Sequence, residues 1–470
     1  MHSLAPLSVE EVLKATGGKL KHGNTTKFAG VSTDTRKVAK NNLFIPLKGN
    51  RFDGHDFISN AFAKGVSGTL IEHNRTDLIQ ELMTSFPNHV IVSVDNALHA
   101  LGNLGKFHRE KIGVKTIGIT GSTGKTTTKE LIASVTSLKY KTMKTEGNLN
   151  NLIGLPLTLL SLTPGLELAV VEMGTSVPGE MKRLCEIAKP DIAVLTNISR
   201  SHLEGLGNIA GVAKEKGEIL RGISENGICV VNGDDPFIAD LASKLTSPCI
   251  TFGLGKRMHS TAKNISYSQS HTRFLLTHQN CEIHITLNFI GSASVYNGLA
   301  AACTGLALGM EPHLIKEGLE KVKPMAGRLN LKVSQKGFIL IDDTYNANPL
   351  SMRVAFDTVK RIGKKKRKVA ILGDMLELGA YSIEAHQEVG VDLEKYGFNR
   401  IFLVGSYKEE CKRGALSAGL PKEAISLCSN LDDTIAKTRQ DLKKGDIVLV
   451  KGSRGMKMEF VAEALLQKSE

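Results

Sequence analysis

The 470-residue sequence has few of the features that mark membrane, secreted and zinc-stabilised proteins. No run approaches the roughly 18 consecutive apolar residues of a membrane-spanning helix, and the first residues lack a basic segment followed by an apolar core, so no secretory signal is expected. Neither C-x-x-C nor H-E-x-x-H occurs among its seven cysteines and 14 histidines, which argues against redox or structural zinc sites. We therefore expect a cytoplasmic protein with reduced, buried thiols.

A concentrated basic region is also lacking, although the net charge is +13 and the pI is about 9.2. Such a charge suggests a nucleic-acid or other anionic partner. The excess of Lys and Arg is spread along the chain, however, and the one basic run, 364–368, has no interleaved aromatic residues. That run is better explained as a solvated loop ahead of an apolar strand. We expect no nucleic-acid partner.

What the sequence does contain is the pattern of a three-domain α/β protein, since domains average about 150 residues. Residues 1–105 are predicted to form a small α+β domain. Residues 106–325 alternate apolar runs with helical patterns, which is typical of a mostly parallel sheet, and the alternating stretch 271–290 predicts an added antiparallel ribbon. Residues 326–470 repeat the α/β pattern, as in a Rossmann-like domain.

The most informative motif is a glycine-rich loop between a β-branched run and a helical pattern. Glycines let backbone N–H groups turn towards a phosphate, and the following helix N-terminus adds partial positive charge. Lys125 can reach the β- and γ-phosphates of a nucleotide, and Thr126 can ligate Mg²⁺. The spacing, G-x-x-G-K-T, is shorter than the usual G-x-x-x-x-G-K-[ST], so a coincidental turn is the alternative. The loop predicts a P-loop-type nucleotide site formed by Gly121, Ser122, Thr123, Gly124, Lys125, Thr126 and Thr127.

Two further side chains follow neighbouring strands of the predicted central sheet. Glu172 ends one strand, at the carboxyl edge where open α/β sheets bind ligands. His202 follows the next strand, where it is either a structural hydrogen-bonding residue or a metal ligand. A GTPase is the nearest rival function, but N-K-x-D is absent, and no motif supports a motor or a helicase. We predict a metal site at Thr126, Glu172 and His202.

Together these residues resemble the Mur ligase family, which builds the peptide stem of peptidoglycan. Folylpolyglutamate synthase shares much of this core, so the central domain alone does not identify the substrate. The central resemblance is carried by the loop 120–127, by the string 147–156 (GNLNNLIGLP), by Glu172, and by Thr196-Asn197-Ile198 with His202.

The flanking domains resemble one branch of the family. The strings 31–36 (VSTDTR) and 52–57 (FDGHDF) are similar to a domain that binds uridine-diphosphate-muramoyl substrates. The branch that adds the third stem residue carries a D-Y-A-H-x-P-like string, which is absent here. Three other strings resemble the branch that adds D-Ala-D-Ala. They are 342–349 (DDTYNANP) with Ser351, 372–379 (LGDMLELG) with His386, and 450–456 (VKGSRGM).

This resemblance implies an ATP- and Mg²⁺-dependent amide ligase that joins D-Ala-D-Ala to UDP-MurNAc-tripeptide through an acyl phosphate. Family members are usually monomers. The catalytic residues it implies are Lys125, Glu172, His202, Lys216, Asn297, Arg328 and Asp343, of which Asn297 and Arg328 would also bind ATP with the phosphate loop. The substrate-binding residues it implies are Ser32, Asp34, Thr35, Arg36, Asp53, Gly54, Asn150, Asn151, Tyr345, Asn346, Asn348 and Ser351.

Several alternatives stay open from the sequence. Lys216 is a candidate for the carbamylated lysine of related ligases, with Lys214 as its competitor and a solvated helix lysine as the simpler interpretation. Ala293 and Ser294 replace a polar His-Asn-type pair that the family usually has near the adenine end of ATP. A catalytically dead binding module on the same fold is disfavoured because the phosphate-loop and metal-site residues are intact. Lys125 and Arg328 fall in different domains, so we expect the enzyme without substrates to be open.

Overall fold

The computed structural model describes residues 6–49, 51–279 and 281–467. Residues 1–5, which include the start of the stretch where a secretory signal would lie, fall outside these ranges. Across the described ranges, no helix is both long enough and apolar enough to cross a membrane. All seven cysteines are free thiols, and five of them are buried.

The N-terminal part of the chain forms a five-stranded sheet with a two-stranded ribbon beside it. The order across the sheet is β2-β7-β6-β5-β4, in which only β2 runs antiparallel to its neighbour, and β1 pairs with β3. A capping box begins α1, in which the Ser8 and Glu11 side chains accept hydrogen bonds from each other's backbone N–H groups. The elements are Leu7–Ser8 (β1), Val9–Thr16 (α1), Lys19–His22 (β2), Lys27–Phe28 (β3), Gly30–Ser32 (β4), Asn42–Phe44 (β5), Ile58–Ala63 (α2), Gly68–Glu72 (β6), Thr76–Ser85 (α3), Val90–Val94 (β7) and Ala97–Ile112 (α4), with a 3₁₀ turn at Gly54–Phe57.

The central part forms a nine-stranded sheet. Its order is β16-β15-β14-β13-β12-β11-β8-β10-β9, parallel from β9 to β14 and antiparallel from β14 to β16, which confirms the predicted ribbon. The elements are Lys115–Thr120 (β8), Lys125–Thr136 (α5), Thr142–Lys144 (β9), Gly154–Leu160 (α6), Leu168–Glu172 (β10), Glu180–Ala188 (α7), Ile192–Leu195 (β11), Leu203–Leu206 (α8), Ile209–Arg221 (α9), Ile228–Asn232 (β12), Pro236–Ser243 (α10), Cys249–Gly253 (β13), Ser260–Tyr267 (β14), Thr272–His278 (β15), Cys281–Leu287 (β16), Ala293–Ala307 (α11) and Pro312–Lys321 (α12).

Alternate residues of the central strands pack on opposite faces of the sheet, because side chains in a strand alternate in direction. Val170 and Val194 belong to the apolar cluster formed with α5, α11 and α12. Val171 and Leu195, one residue further on, belong to the cluster formed with α6, α7 and α9. A parallel sheet covered by helices on both faces leaves its carboxyl edge as the open surface for ligands.

The C-terminal part forms a six-stranded sheet in the order β17-β18-β22-β19-β20-β21, parallel except for β17. Helices cover both of its faces, which confirms the predicted three-domain α/β architecture. The elements are Asn330–Val333 (β17), Ile339–Asp343 (β18), Pro349–Ile362 (α13), Lys368–Leu372 (β19), Ser382–Lys395 (α14), Arg400–Val404 (β20), Lys408–Ser417 (α15), Ile425–Cys428 (β21), Leu431–Asp441 (α16), Ile447–Lys451 (β22) and Glu459–Leu466 (α17), with 3₁₀ turns at Gly379–Tyr381, Lys422–Ala424 and Arg454–Met456.

The junction between the first two parts is a helix. Residue 105, where we predicted a domain boundary, lies inside α4, which packs against α1 on the N-terminal side and α6 on the central side. The other predicted boundary, at residue 325, lies in the irregular segment between α12 and β17. The alternation of apolar runs and helical patterns in the sequence indicates where the strands of each sheet lie. It gives no signal of a domain boundary inside a helix that packs against elements of both domains.

Candidate functional site

The predicted phosphate loop follows β8, between the ends of β10 and β11. Gly121 has φ 150° and Gly124 has φ 79°, a region that favours glycine. A Cβ at Gly121 would overlap the Thr196 hydroxyl, and that hydroxyl donates a hydrogen bond to the Thr123 carbonyl at 2.7 Å. The residue after β11 therefore fixes the shape of the loop, and the glycines leave room for that contact.

The side chain of Lys125 bends back onto the phosphate loop. Lys125 Nζ donates to the Gly121 carbonyl at 2.8 Å. Withdrawal from water lowers the pKa of Lys125, the nearby Arg328 cation lowers it further, and the Glu172 carboxylate opposes both. A cation held at this position favours an anionic ligand, because such a ligand would offset the desolvation of the ammonium group.

The Glu172 carboxylate accepts hydrogen bonds from two other segments of the central domain. One of its carboxylate oxygens accepts a hydrogen bond from Thr126 Oγ1 at 2.9 Å, and the other accepts one from Asn150 Nδ2 at 2.8 Å. Only 3% of the Glu172 surface is exposed. A buried carboxylate beside a hydroxyl at the end of a phosphate loop is the donor set that Mg²⁺ takes beside a triphosphate.

An arginine from the C-terminal part of the chain reaches this loop. The Arg328 guanidinium donates to Thr126 Oγ1 at 2.7 Å and lies 4.0 Å from the centre of the Tyr345 ring. Arg328 and Thr126 are therefore in contact, although they belong to two different α/β domains. The open arrangement that we expected differs from the one in the structure, where the two α/β domains touch.

A cavity of about 1070 Å³ lies between these two domains. It brings together most of the predicted residues, although they are spread over more than 200 positions of the sequence. Those that line it are Ser122, Thr123, Gly124, Lys125, Thr126, Thr127, Asn150, Asn151, Glu172, His202, Asn297, Arg328, Asp343, Tyr345, Asn346, Asn348 and Ser351.

His202 faces the C-terminal domain. Its Nδ1 lies 2.6 Å from Oε2 of Glu377, and this hydrogen bond lowers the pKa of the Glu377 carboxyl. Beside it, Arg200 contacts Tyr381 and lies 3.2 Å from Glu388. Glu377 and Arg200 were not predicted from the sequence as members of the site. Glu377 stands in the string 372–379, which carried the resemblance, but no sequence pattern indicates which residue it faces.

Lys216 lies in α9, outside the lining of the cavity within the described ranges. Its side chain is fully buried, and its Nζ has no hydrogen-bond partner among the described residues. Burial, reinforced by the Lys125 cation, lowers the pKa of Lys216 to about 7. Lys214, its competitor, is exposed. A solvated helix lysine is therefore the wrong description of Lys216.

Two sets of hydrogen bonds order the polar groups at the end of β18 and in the turn that follows it. Asp343 accepts a hydrogen bond from the buried Lys451 Nζ at 2.6 Å, and the same ammonium donates to the Asn346 carbonyl at 2.9 Å. Asn348 and Ser351 form a capping box at the start of α13, with Ser351 N–H donating to Asn348 Oδ1 at 2.8 Å. The turn is thus ordered by Lys451 from β22 and by its own helix cap, and Asn348 Nδ2 stays without a partner among the described residues.

The predicted substrate residues of the N-terminal domain lie apart from this cavity. Asp34 makes two 2.9 Å bonds to the exposed Arg36 guanidinium, which lower the pKa of Asp34 to about 2. Asp53 accepts from His55 Nδ1 at 2.7 Å and contacts Arg75. None of the six residues predicted here is part of the cavity lining in the described ranges, namely Ser32, Asp34, Thr35, Arg36, Asp53 and Gly54.

Another part of the cavity wall is formed by α11, next to the phosphate loop, and by the segment after β12. Asn297 Oδ1 accepts from Thr128 Oγ1 at 3.3 Å, and a Cβ at Gly124 would lie 2.6 Å from it. Ser294 bonds back to the Gly291 carbonyl at 2.6 Å. Tyr296, which was not predicted from the sequence, donates to Asp234 at 2.9 Å, and burial together with that carboxylate raises the pKa of Tyr296.

The predicted metal residues supply few charged donors. Within the described ranges, no group of three or more His, Cys, Asp or Glu side chains is arranged to hold a metal ion. Thr126, Glu172 and His202 include only two residues of those types. Such a sparse set fits Mg²⁺, which keeps several waters and binds with one or two carboxylates and the phosphates of a substrate.

Three Mur ligase family models match the chain in succession. The model for the Mur ligase family, catalytic domain, matches residues 27–109, the Mur ligase middle domain matches 119–305, and the Mur ligase, glutamate ligase domain, matches 327–454.

Individual relatives match over nearly the whole chain. The UDP-N-acetylmuramoyl-tripeptide–D-alanyl-D-alanine ligase of Bacillus subtilis is 36% identical over 460 residues, covering 98% of each chain. The crystal structure of MurF from Acinetobacter baumannii superposes with a TM-score of 0.90 at 30% identity, covering 99% of this chain and 100% of that one. MurF ligase from Thermotoga maritima, solved in complex with ADP, gives a TM-score of 0.80 at 30% identity, covering 93% and 96%.

Proposed function

The chain belongs to the Mur ligase family, and we propose that it joins D-Ala-D-Ala to UDP-MurNAc-tripeptide at the expense of ATP. Relatives that match both ends of the chain carry the name of this reaction. The observation that carries the proposal most directly is the contact of Arg328 with Thr126, because it brings the C-terminal domain onto the phosphate loop. ATP bound there would meet both domains.

The reaction has to bring a carboxylate next to a triphosphate, so charge neutralisation and positioning should dominate catalysis. In the first proposed step, a carboxylate oxygen of the tripeptide attacks the γ-phosphorus of ATP, and ADP leaves. The amine of D-Ala-D-Ala then attacks the acyl phosphate, loses a proton and displaces phosphate. Lys125 and Arg328 would neutralise phosphate oxygens, and Asn297 and Asp343 would contact ATP from the two domains.

Mg²⁺ would further neutralise the phosphates and the reacting carboxylate. Thr126 and Glu172 fit this role because their oxygens lie 2.9 Å apart beside Lys125. We propose them as the holders of one ion and His202 as the holder of a second. Asn150 would orient the Glu172 carboxylate through its hydrogen bond.

We also propose that Lys216 carries a carbamate. Its pKa of about 7 leaves a large share of the amine neutral at neutral pH. The neutral nitrogen can attack CO₂, forming an N–C bond and releasing a proton, and the product is an anion. That change would turn the repulsion between Lys216 and Lys125 into an attraction and would give the buried Nζ group a charged partner.

The remaining substrate contacts are assigned by position. Tyr345, Asn346, Asn348 and Ser351 lie on the C-terminal side of the cavity, where we propose that D-Ala-D-Ala binds. Asn151 lies on its central side and is assigned to the tripeptide. For the UDP-MurNAc end we propose the N-terminal domain, where Asp53 and Gly54 lie on one loop and Asp34 and Arg36 on another. We further propose that the protein is cytoplasmic and that it is a monomer. Sedimentation can test the oligomeric state.

The proposal is tested by phosphate release with purified UDP-MurNAc-tripeptide. We expect release with D-Ala-D-Ala and ATP and none with single amino acids such as D-Ala, D-Glu or L-Lys. Tripeptides ending in diaminopimelate and in lysine should be compared, because they differ at the residue that carries the acceptor carboxylate. Release with a single amino acid and none with the dipeptide would contradict the proposal.

A further inference from the structure

Two residues with left-handed backbone meet across the boundary between the central and C-terminal domains. His202 has φ 52° and Glu377 has φ 63°, a conformation uncommon for residues other than glycine. The His202 Nδ1 and the Glu377 Oε2 lie 2.6 Å apart. Such backbone at a contact is maintained only where its surroundings determine it, so the pairing is a built feature of this boundary.

The backbone around Glu377 is anchored on both sides of the boundary. Within the C-terminal domain, Leu376 N–H donates to Ser453 Oγ at 2.8 Å. Across the boundary, Glu204 N–H donates to the Glu377 carbonyl at 3.2 Å. A Cβ at Gly379 would lie 3.2 Å from Glu204 Cα, so this backbone approaches closely. The Glu377 carboxylate is therefore held beside His202 by one contact within the C-terminal domain and by one backbone contact that exists only while the two domains touch.

The contact determines which nitrogen of the ring carries a proton. A carboxylate accepts, so Nδ1 donates to Glu377, and Nε2 of a neutral ring is left with its lone pair. His202 lines the cavity, and in the described ranges Nδ1 is the ring nitrogen with a hydrogen-bond partner. Histidines that bind metal usually donate their other N–H to a carboxylate or a carbonyl, which fixes the tautomer and the orientation of the ring.

We propose that Glu377 is a positioning residue, which fixes the tautomer and orientation of His202 for a divalent cation only when the C-terminal domain lies against the central domain. Domain contact thereby becomes a condition for assembling the cation site. The inference rests on the proposed function, since the cation would lie beside the phosphates of ATP.

Glu388 provides a matched control at the same boundary. It also places a carboxylate against the central domain, through Arg200 at 3.2 Å, but it makes no contact with His202. The variants Glu377→Ala, Glu377→Gln and Glu388→Gln separate loss of a boundary carboxylate from loss of the contact with His202. Glutamine at 377 keeps an oxygen that can accept from Nδ1.

The first measurement is the Mg²⁺ dependence of ligation. Loss of such a supporting group costs about 10–100-fold in metal affinity or activity. We expect E377A to raise the Mg²⁺ concentration for half-maximal rate by about tenfold or more, with a much smaller change in KM for ATP. E377Q should recover most of the loss, and E388Q should show the Mg²⁺ dependence of the unmodified protein. Equal effects of E377A and E388Q would overturn the proposal, because they would indicate a general boundary role.

The second measurement does not depend on activity. Mn²⁺ is titrated into the full chain with a non-hydrolysable ATP analogue, and free Mn²⁺ is followed by electron paramagnetic resonance. We expect E377A and H202A to weaken the same class of bound Mn²⁺, and the double variant to lose no more than H202A alone. Additive losses, or Mn²⁺ binding unchanged in E377A, would overturn the inference. Failure of the unmodified protein to ligate D-Ala-D-Ala would contradict the proposed function and leave this result interpretable.

Discussion

The two sides of the cavity are built in different ways. On the central side, the phosphate loop, Thr196 and Glu172 follow three adjacent parallel strands, and the sheet itself sets their spacing. On the C-terminal side, Lys451 and Asp343 also end adjacent parallel strands and hold each other, but most of the polar groups lie in the turn after β18, where Ser351 holds Asn348. Arg328 and Glu377 then cross to the central side.

The groups on the central side are positioned by a single sheet. Arg328 and Glu377 reach the central side only when the two domains touch. We expect the central side to bind a phosphate by itself, because its loop, its lysine and its carboxylate are positioned by one sheet. The C-terminal side adds a cation and a positioning contact. Variants on the central side should therefore remove the reaction, whereas variants on the C-terminal side should weaken particular steps.

The largest effect is expected from Lys125→Ala. Removing a preorganised charge beside a transferring phosphoryl group costs about 100- to 1000-fold in rate or more, and we expect a fall of about 1000-fold in kcat for phosphate release. Lys125→Arg should recover part of it, because the charge is kept at a changed geometry. Thermal unfolding of both variants checks the fold. Ligation at the unmodified rate in a folded Lys125→Ala protein would exclude the phosphate loop as the ATP site.

The next largest effect is expected from Lys216, which belongs to α9 of the central domain. If Lys216 is carbamylated, Lys216→Ala should lower kcat by about 100-fold, the range for loss of a group that supports a charged site. Adding a short carboxylate such as acetate or formate should restore part of the rate. Intact-mass measurement under bicarbonate should show the added mass of one CO₂ in the unmodified protein and not in the variant.

Lys214→Ala is the control for this prediction, since Lys214 lies two residues away on the same helix and is exposed. We expect it to ligate normally at every bicarbonate concentration. A Lys216→Ala protein with unchanged kcat would exclude a role for a Lys216 carbamate in the reaction, and the absence of the added mass in the unmodified protein would exclude the carbamate itself.

The same division limits what can be predicted from the sequence. The phosphate loop, Glu172 and His202 are predictable because residues at the ends of successive parallel strands share an edge. Glu377 and Tyr296 are not, because their partners His202 and Asp234 are far away in sequence and no local pattern encodes the pairing. The burial of Lys216 is equally hidden, since a helix of alternating charges shows its buried face only once packed.

Resemblance covers part of this gap. Arg328 and Asp343 are assigned by similarity to the family, and the structure brings both to the cavity. Resemblance does not locate the boundary between the first two domains, because α4, which contains the predicted position 105, packs against elements of both domains. Likewise, the contact between the two domains includes Arg200, Glu377 and other side chains whose partners belong to the other domain.

On the C-terminal side, Arg328→Ala should lower kcat/KM by about 10- to 100-fold, which corresponds to the roughly 1.5–3 kcal/mol of a hydrogen bond to a charged group. We expect a smaller loss than for Lys125→Ala, because the central side still holds the phosphates. Arg328→Lys should recover little, since it loses the planar group that lies over Tyr345. A loss in Arg328→Ala as large as in Lys125→Ala would contradict the division between the two sides.

The smallest effect separates a structural from a binding role at Asn348. Its Oδ1 caps α13, and losing such a cap costs about 1 kcal/mol of stability. Asn430 makes the same kind of cap at the start of α16, away from the cavity, so Asn430→Ala is a matched control. We expect both alanine variants to unfold at slightly lower urea concentration. Only Asn348→Ala should raise KM for D-Ala-D-Ala, about tenfold, because loss of one hydrogen bond to a charged or polar ligand costs roughly 1–2 kcal/mol. If the two variants give the same KM, Asn348 is a helix cap and the dipeptide is held by the other residues of the turn.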